Sequence, residues 1–193
     1  METERVKALE KKFNDLVMEW NAKINLVSRQ KTNIYDLIED SRLFIEYIDF
    51  KEGLEILDLG TGGGLPGVVI KIHHPEINIT LVDSIRKKAD ALRDIVFKLE
   101  LEGTDVVNSR AEDIGKHPNF KSRFDYIVAR SVSTLDNLVK WSKNLVKPGG
   151  KLITIKGVDI SEEIIRARRY KYVKSIEVFE KDRKKVLMIQ FAE

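Results

Sequence analysis

The stretch "LDLGTGGGLPGVV", residues 57–69, carries five glycines and a proline directly after a short apolar run. Glycine loses more backbone freedom on folding than any other residue. Such density marks a backbone that must turn left-handed or be approached closely. Two spacings overlap in it. Gly62, Gly64 and Gly67 spell G-x-G-x-x-G, and Asp58, Gly60, Gly62 and Gly64 spell D-x-G-x-G-x-G. Both describe a strand-to-helix loop whose bare peptide lets an adenosine-bearing ligand lie against it. A plain turn would not normally need five glycines.

The residues on either side place this loop in an alternating chain. "LEILDL" (54–59) reads as a buried strand, and a helix is expected over roughly 67–73. Further strands are expected at 78–84, 104–109, 124–130 and 151–156. Helical patterns lie between them at 85–101 and 134–146, the latter stopped by a turn at "KPGG", and again at 161–169. The runs "YVKSIEVFE" and "KVLMIQFA" predict a closing antiparallel hairpin. Before the loop, apolar residues at steps of three and four predict helices over 4–27 and 34–48, with Thr32 or Asn33 capping the second. Strands alternating with helices give an α/β fold with right-handed crossovers. The expected domains are a helical extension at 1–52 and a core at 53–193.

Composition narrows the class. The chain has 193 residues, 42% of them hydrophobic, enough for one core, and a net charge of +3. It has no cysteine, so disulfides, thiolate metal sites and a cysteine nucleophile are excluded. The first residues lack the apolar segment of a secretory signal, and no apolar run approaches the ~20 residues of a membrane span. A cytoplasmic protein is expected. "HHPE" (73–76) reads as a helix end before Pro75 rather than a metal site, so no metal is expected.

Asp83 ends the second strand, 23 residues after Gly60. An acid there can accept hydrogen bonds from ribose hydroxyls. Three features favour S-adenosylmethionine (SAM) over NAD. Asp58 precedes the first glycine, where a carboxylate can face a cationic sulfur. "KPGG" precedes the fifth strand, and a hairpin with a reversed strand closes the chain. The residues left after the fifth strand are too few for a second substrate domain. That ending resembles the Rossmann-like SAM-dependent methyltransferase fold, and the resemblance implies a seven-stranded, mostly parallel sheet with an antiparallel strand in its C-terminal hairpin. At the third strand's end, Ala111 and Glu112 of "SRAEDI" are placed to flank an adenine.

"DLGTGGGLPG", followed by "LVDS", "SRAED", "VARSV" and "IKG", resembles the bacterial small-subunit ribosomal RNA guanine-N7 methyltransferases, formerly called glucose-inhibited division protein B. "NLVSR" (25–29) matches as well, and the resemblance runs over nearly the whole chain in the same order. The L-P-G after the glycines and the arginine ending the fourth strand are its specific parts. The resemblance implies SAM contacts at Gly60, Leu65, Ala111, Glu112 and Arg130, and methyl transfer to a guanine N7 in 16S rRNA. Two positions depart from the family: Leu37 stands where it often has histidine, and Ser131 follows Arg130 where alanine is usual.

The residues agree with such an acceptor. Carbon-5 methylation of pyrimidines typically needs a cysteine nucleophile, and there is none. Exocyclic-amine methylases carry D/N-P-P-Y/F after the fourth strand, where this chain has "ARSVST". Guanine N7 presents an in-plane lone pair and needs no general base, so positioning can carry the catalysis. Arg130 is the candidate catalytic residue. Its guanidinium suits guanine O6 or a phosphate, and a structural ion pair with Asp58 or Glu112 is the competing role.

The expected cofactor contacts are Asp58, Gly60, Gly62, Gly64, Leu65, Asp83, Ala111, Glu112 and Arg130. The expected partner is 16S rRNA or the small ribosomal subunit, met by a monomer. Phosphate contacts could come from three basic runs: Lys23, Arg29 and Lys31; Arg166, Arg168, Arg169 and Lys171; and Lys181, Arg183, Lys184 and Lys185. Trp20 and Trp141 fall on helical stripes and are expected in the core. Three other readings remain open at this point: a small NAD-binding oxidoreductase, a SAM-dependent enzyme for another acceptor, and an RNA-binding module that only senses the cofactor.

Overall fold

The computed structural model describes residues 2–157, 159–181 and 184–192. Arg183 of the third basic run lies outside the described residues. The five parallel strands are β1 (Glu55–Leu59), β2 (Asn78–Asp83), β3 (Thr104–Asn108), β4 (Phe124–Arg130) and β5 (Val146–Lys156). β6 (Val173–Lys181) and β7 (Lys184–Phe191) form the hairpin. The order across the sheet is β3-β2-β1-β4-β5-β7-β6, and β7 runs against both its neighbours. This is the seven-stranded arrangement expected from the resemblance. Its order reverses between β1 and β4, where an open α/β sheet forms its ligand crevice.

Helices cover both faces. α1 (Glu2–Asn21), α2 (Tyr35–Ile45), α3 (Gly67–His73) and α4 (Arg86–Lys98) lie on one side, and α5 (Ala111–Ile114), α6 (Leu135–Ser142) and α7 (Ser161–Ala167) on the other. Successive side chains of a strand point to opposite faces. Ile56 and Val128 thus join the α1–α4 layer, and Leu57, Leu59, Ile127 and Ala129 join the α5–α7 layer. By the same parity, Asp58, Asp83 and Arg130 lie on the α1–α4 face. Phe13, Val17, Ile38 and Phe44 bring α1 and α2 into the core layer that α3 and α4 share.

Three sequence expectations are corrected. α1 ends at Asn21 instead of running to 27. There the Asn21 Oδ1 accepts the Val27 N–H at 3.0 Å, and Lys23 and Ile24 both donate to the Trp20 carbonyl. The asparagine offers the backbone an alternative to the helix. α2 stops at Ile45, and its N-cap position is Ile34, whose side chain makes no cap bond. Asn33 accepts the Tyr35 N–H at 3.3 Å, while the Ile34 N–H goes to Asn14. Finally, α6 ends at Ser142 and "KPGG" lies inside β5. The register jumps from Phe124↔Val146 to Tyr126↔Lys151, and Gly149 takes φ +73°. The glycines there make a bulge, not a turn before the strand.

Candidate active site

The glycine loop leaves the C-terminal end of β1 with Gly60, Gly62 and Gly64 left-handed, at φ +76°, +56° and +92°. It is tied to β2. The Gly60 and Thr61 N–H groups both donate to the Val82 carbonyl at 2.9 Å. Asp83 is 7% exposed, and its carboxylate accepts the Gly62 N–H at 3.0 Å and the Ile85 N–H at 2.8 Å. The end of β3 joins through Asn108 and Ser109, which both donate to the Asp83 carbonyl. Ser131 after β4 is left-handed at φ +56°. The next side chain, Val132, leaves no room for a Cβ on Gly60, which would sit 2.7 and 2.9 Å from its two methyls.

These parts enclose a cleft of about 400 Å³. Among the residues expected from sequence, Gly60, Asp83, Ala111 and Glu112 line it. Val132, Ile85 and Trp141 also line it, and sequence reasoning did not place them there. Ile85 is a large apolar side chain left half exposed, two residues after the strand-ending acid. That adjacency was the available signal. Trp141 was expected in the core. It packs against the α6-side core while also walling the cleft, two roles that helical periodicity cannot separate.

The other expected residues sit outside the cleft lining. Gly64 faces the core, where a Cβ would meet Val68, Leu92 and Phe13 at 2.8–3.3 Å. Leu65 is a core residue, 3% exposed. Gly62 spends its N–H on Asp83. Asp58 is fully buried beneath the start of α3, its Oδ2 accepting the Gly67 N–H at 2.7 Å.

Arg130 turns to α2. Its Nη1 lies 3.9 Å from Asp40, and its buried Nε finds no hydrogen-bond partner among the described residues. The ion pair considered from sequence, with Asp58 or Glu112, is thus made with Asp40. Burial pulls the arginine below its usual range, against the charges of Asp40, Asp58 and Asp36. His73 bonds Glu10 and His74 bonds Glu76. Among the described residues no group of three His, Asp or Glu side chains is placed to hold a metal, and no helix is long and apolar enough to cross a membrane.

A family model described as rRNA small subunit methyltransferase G (GidB) matches residues 7–186. The chain belongs to the GidB family. A ribosomal RNA small subunit methyltransferase G from Alkaliphilus oremlandii is 38% identical over 160 residues, covering 82% of this chain and 67% of that one. One from Clostridium novyi is 33% identical, covering 81% of this chain and 65% of that one. The GidB-family chain thus spans about two thirds of the length of these curated relatives. Among solved structures, a SAM-dependent O-methyltransferase from Thermotoga maritima superposes with a TM-score of 0.65 at 18% identity, over 80% of this chain and 65% of that one. A precorrin-6y C5,15-methyltransferase from Geobacter metallireducens superposes at 0.61 with 12% identity, over 80% of this chain and 88% of that one. At such identities the likeness is one of fold.

Burial pushes the Asp58 carboxyl of this GidB-family site up from 3.8 to about 6, with the Thr61 hydroxyl, the Gly67 N–H and the Arg130 charge working against it. A folded value above the unfolded one means the native state holds the proton more tightly. The associated stability is complete below pH about 4 and is lost as pH rises to about 6. Two units correspond to about 3 kcal/mol. Asp58→Asn keeps an oxygen for Gly67 and removes the ionisation. Its melting temperature should therefore gain on the wild type steadily between pH 4 and 6.5. Melting curves that stay parallel across that range would show that Asp58 is not the titrating group.

Proposed function

We propose that the protein is a SAM-dependent methyltransferase acting on N7 of a guanine in 16S rRNA, as a monomer in the cytoplasm. The family match over residues 7–186 carries this reading. It leaves the NAD-dependent oxidoreductase without support. We assign residues 53–193 to the methyltransferase core and 1–52 to a helical extension.

The chain's own residues fit the cofactor. Each Asp83 oxygen accepts one backbone N–H. A carboxylate oxygen has a second acceptor site, so both remain able to take a ribose hydroxyl. Ile85 and Trp141 supply apolar walls suited to a purine, and Ala111 supplies backbone groups for its edge. Ionised above pH about 6, Asp58 places negative charge behind the glycine loop, where a cation is favoured. When bound, SAM supplies an electrophilic methyl on a positively charged sulfur. Arg130 stands at the end of β4, across the sheet's reversal point from Asp83, and there it can orient guanine O6 or a flanking phosphate. No side chain has to remove a proton, because the N7 lone pair is free in neutral guanine. The work of the protein is alignment and exclusion of water.

The test is to incubate the protein with methyl-labelled SAM and either small subunits or naked 16S rRNA, then map N7-methylguanine by cleavage at the modified base. A single cleavage site that depends on the protein is expected. Binding of S-adenosylhomocysteine with no labelled RNA from either substrate would overturn the proposal.

A further inference from the structure

The structure sorts the three basic runs of the sequence. In the C-terminal run, Lys181 pairs with Glu46, Lys184 with Asp40, and Lys185 lies 3.7 Å from Glu180. The first two of these cations fasten the hairpin to α2 and the residue after it. In the run at α7, Arg166 lies between Asp136 and Glu162. Its remaining members lead into the start of β6, which pairs with the end of β7. That is the sheet edge away from the glycine loop.

The first run is built differently. Past the end of α1, the Asn21 side chain holds the Val27 N–H and closes residues 22–27 into a turn, and a second turn follows in which the Lys31 N–H donates to the Ser28 carbonyl. The two turns bound a hollow of about 470 Å³ whose charged lining is wholly basic: Lys23, Arg29 and Lys31, interleaved with Asn21 and Asn25. Lys23 pairs with Glu19 and Lys31 with Asp36, both acids outside the lining. Arg29 is exposed and is oriented by a neutral group, its Nε donating to Asn25 Oδ1 at 2.5 Å. Among the described residues no carboxylate forms an ion pair with it. Its guanidinium is therefore aimed but not neutralised, a state that suits an oxyanion. With its oxygen taken, Asn25 keeps its NH₂ group to donate.

The first turn rests on the glycine loop. A Cβ on Gly63 would meet Val27 Cγ1 at 3.1 Å and the Leu26 carbonyl at 3.6 Å. The hollow is thus fixed in place relative to the loop that lines the proposed cofactor cleft.

We propose that this hollow seats a backbone phosphate of the RNA beside the acceptor nucleotide, with Arg29 as its contact. The proposal rests on the reading of the protein as an rRNA methyltransferase, and it names which basic run meets the RNA.

The test compares the full-length wild type with Arg29→Ala and Arg29→Lys. Titration with S-adenosylhomocysteine comes first, and affinities within about twofold of wild type show that the glycine loop is intact. Filter binding to 16S rRNA across a range of salt comes second. Arg29→Ala should bind about tenfold more weakly, and its slope of log K against log salt should shrink by about 0.7–0.9, the share of one phosphate. In the methylation assay its KM for RNA should rise by a similar factor, with kcat at saturation unchanged. Arg29→Lys should keep the salt slope while recovering only part of the affinity, because an ammonium lacks the fork. An Arg29→Ala protein that binds RNA with wild-type affinity and slope overturns the proposal whatever the methylation assay gives. A wild type that binds RNA without methylating it overturns the functional reading and leaves the binding comparison standing.

Discussion

Arg130→Ala should lower methyl transfer about 100-fold or more, the scale expected when one preorganised donor is taken from an active site, while the protein stays folded. Arg130 has a buried Nε with no partner among the described residues and an Nη1 3.9 Å from Asp40. Its guanidinium is largely buried at the end of β4, with its charge facing Asp40 and Asp58. Its loss does not unfasten α2, because Asp40 keeps Lys184. The main structural cost falls on Asp58, which loses the Arg130 charge that opposes the effect of its burial. A melting temperature lowered by several degrees, with cooperative unfolding retained, is expected. Arg130→Lys separates charge from shape. If the fork orients the acceptor, lysine restores stability and leaves turnover low. Wild-type turnover in Arg130→Ala would remove this residue from the site.

Gly60→Ala should cut affinity for S-adenosylhomocysteine about 100-fold. Two effects add at this position. The backbone is left-handed at φ +76°, which costs an L-residue about 1–2 kcal/mol. The new methyl would also sit 2.7 Å from Val132, on the wall of the cleft, so either the loop or the wall must move. Gly53 is the control, left-handed at φ +71° with nothing within 4 Å of where a Cβ would stand. Gly53→Ala should therefore show only the backbone cost in a melt and leave ligand affinity unchanged. In the double variant Gly60→Ala/Val132→Ala the steric share should be recovered and the backbone share should persist. Titration calorimetry reads all three, and undiminished affinity in Gly60→Ala would mean that the ligand does not approach this loop.

The parts of the fold that were legible from sequence were those set by local pattern. Short apolar runs gave β1 to β4, of which β1, β2 and β4 are buried along nearly their whole length, and the glycines marked the turn after β1. The pattern failed where a side chain or a bulge competes with periodicity. Asn21 ends α1 although apolar residues continue at Ile24. Gly149 and Gly150 look like a turn and instead bulge a continuing strand.

The candidate site divided in the same way. Gly60, Asp83, Ala111 and Glu112 stand at strand or helix ends, so sequence position alone brings them to the cleft. Leu65 and Gly64 belong to the same motif, yet the loop's turns send them into the core. Sequence position suits Asp83 to accept from a ribose. The structure shows its carboxylate bracing the loop and the start of α4, with acceptor capacity to spare. Trp141 and the Asp40 partner of Arg130 come from α6 and α2, and only the tertiary packing brings them there. No spacing in the chain encodes those encounters.

The reversed strand has a consequence for how the molecule is made. β7 inserts between β5 and β6, and Lys184 and Lys181 reach back 144 and 135 residues to Asp40 and Glu46. Contacts so remote in the chain form late, since a long loop must close first. During synthesis these two ion pairs to α2 and the residue after it cannot form until the hairpin has left the ribosome. A nascent polypeptide arrested before that point carries β5 with a naked border, the kind of surface that recruits a neighbouring chain.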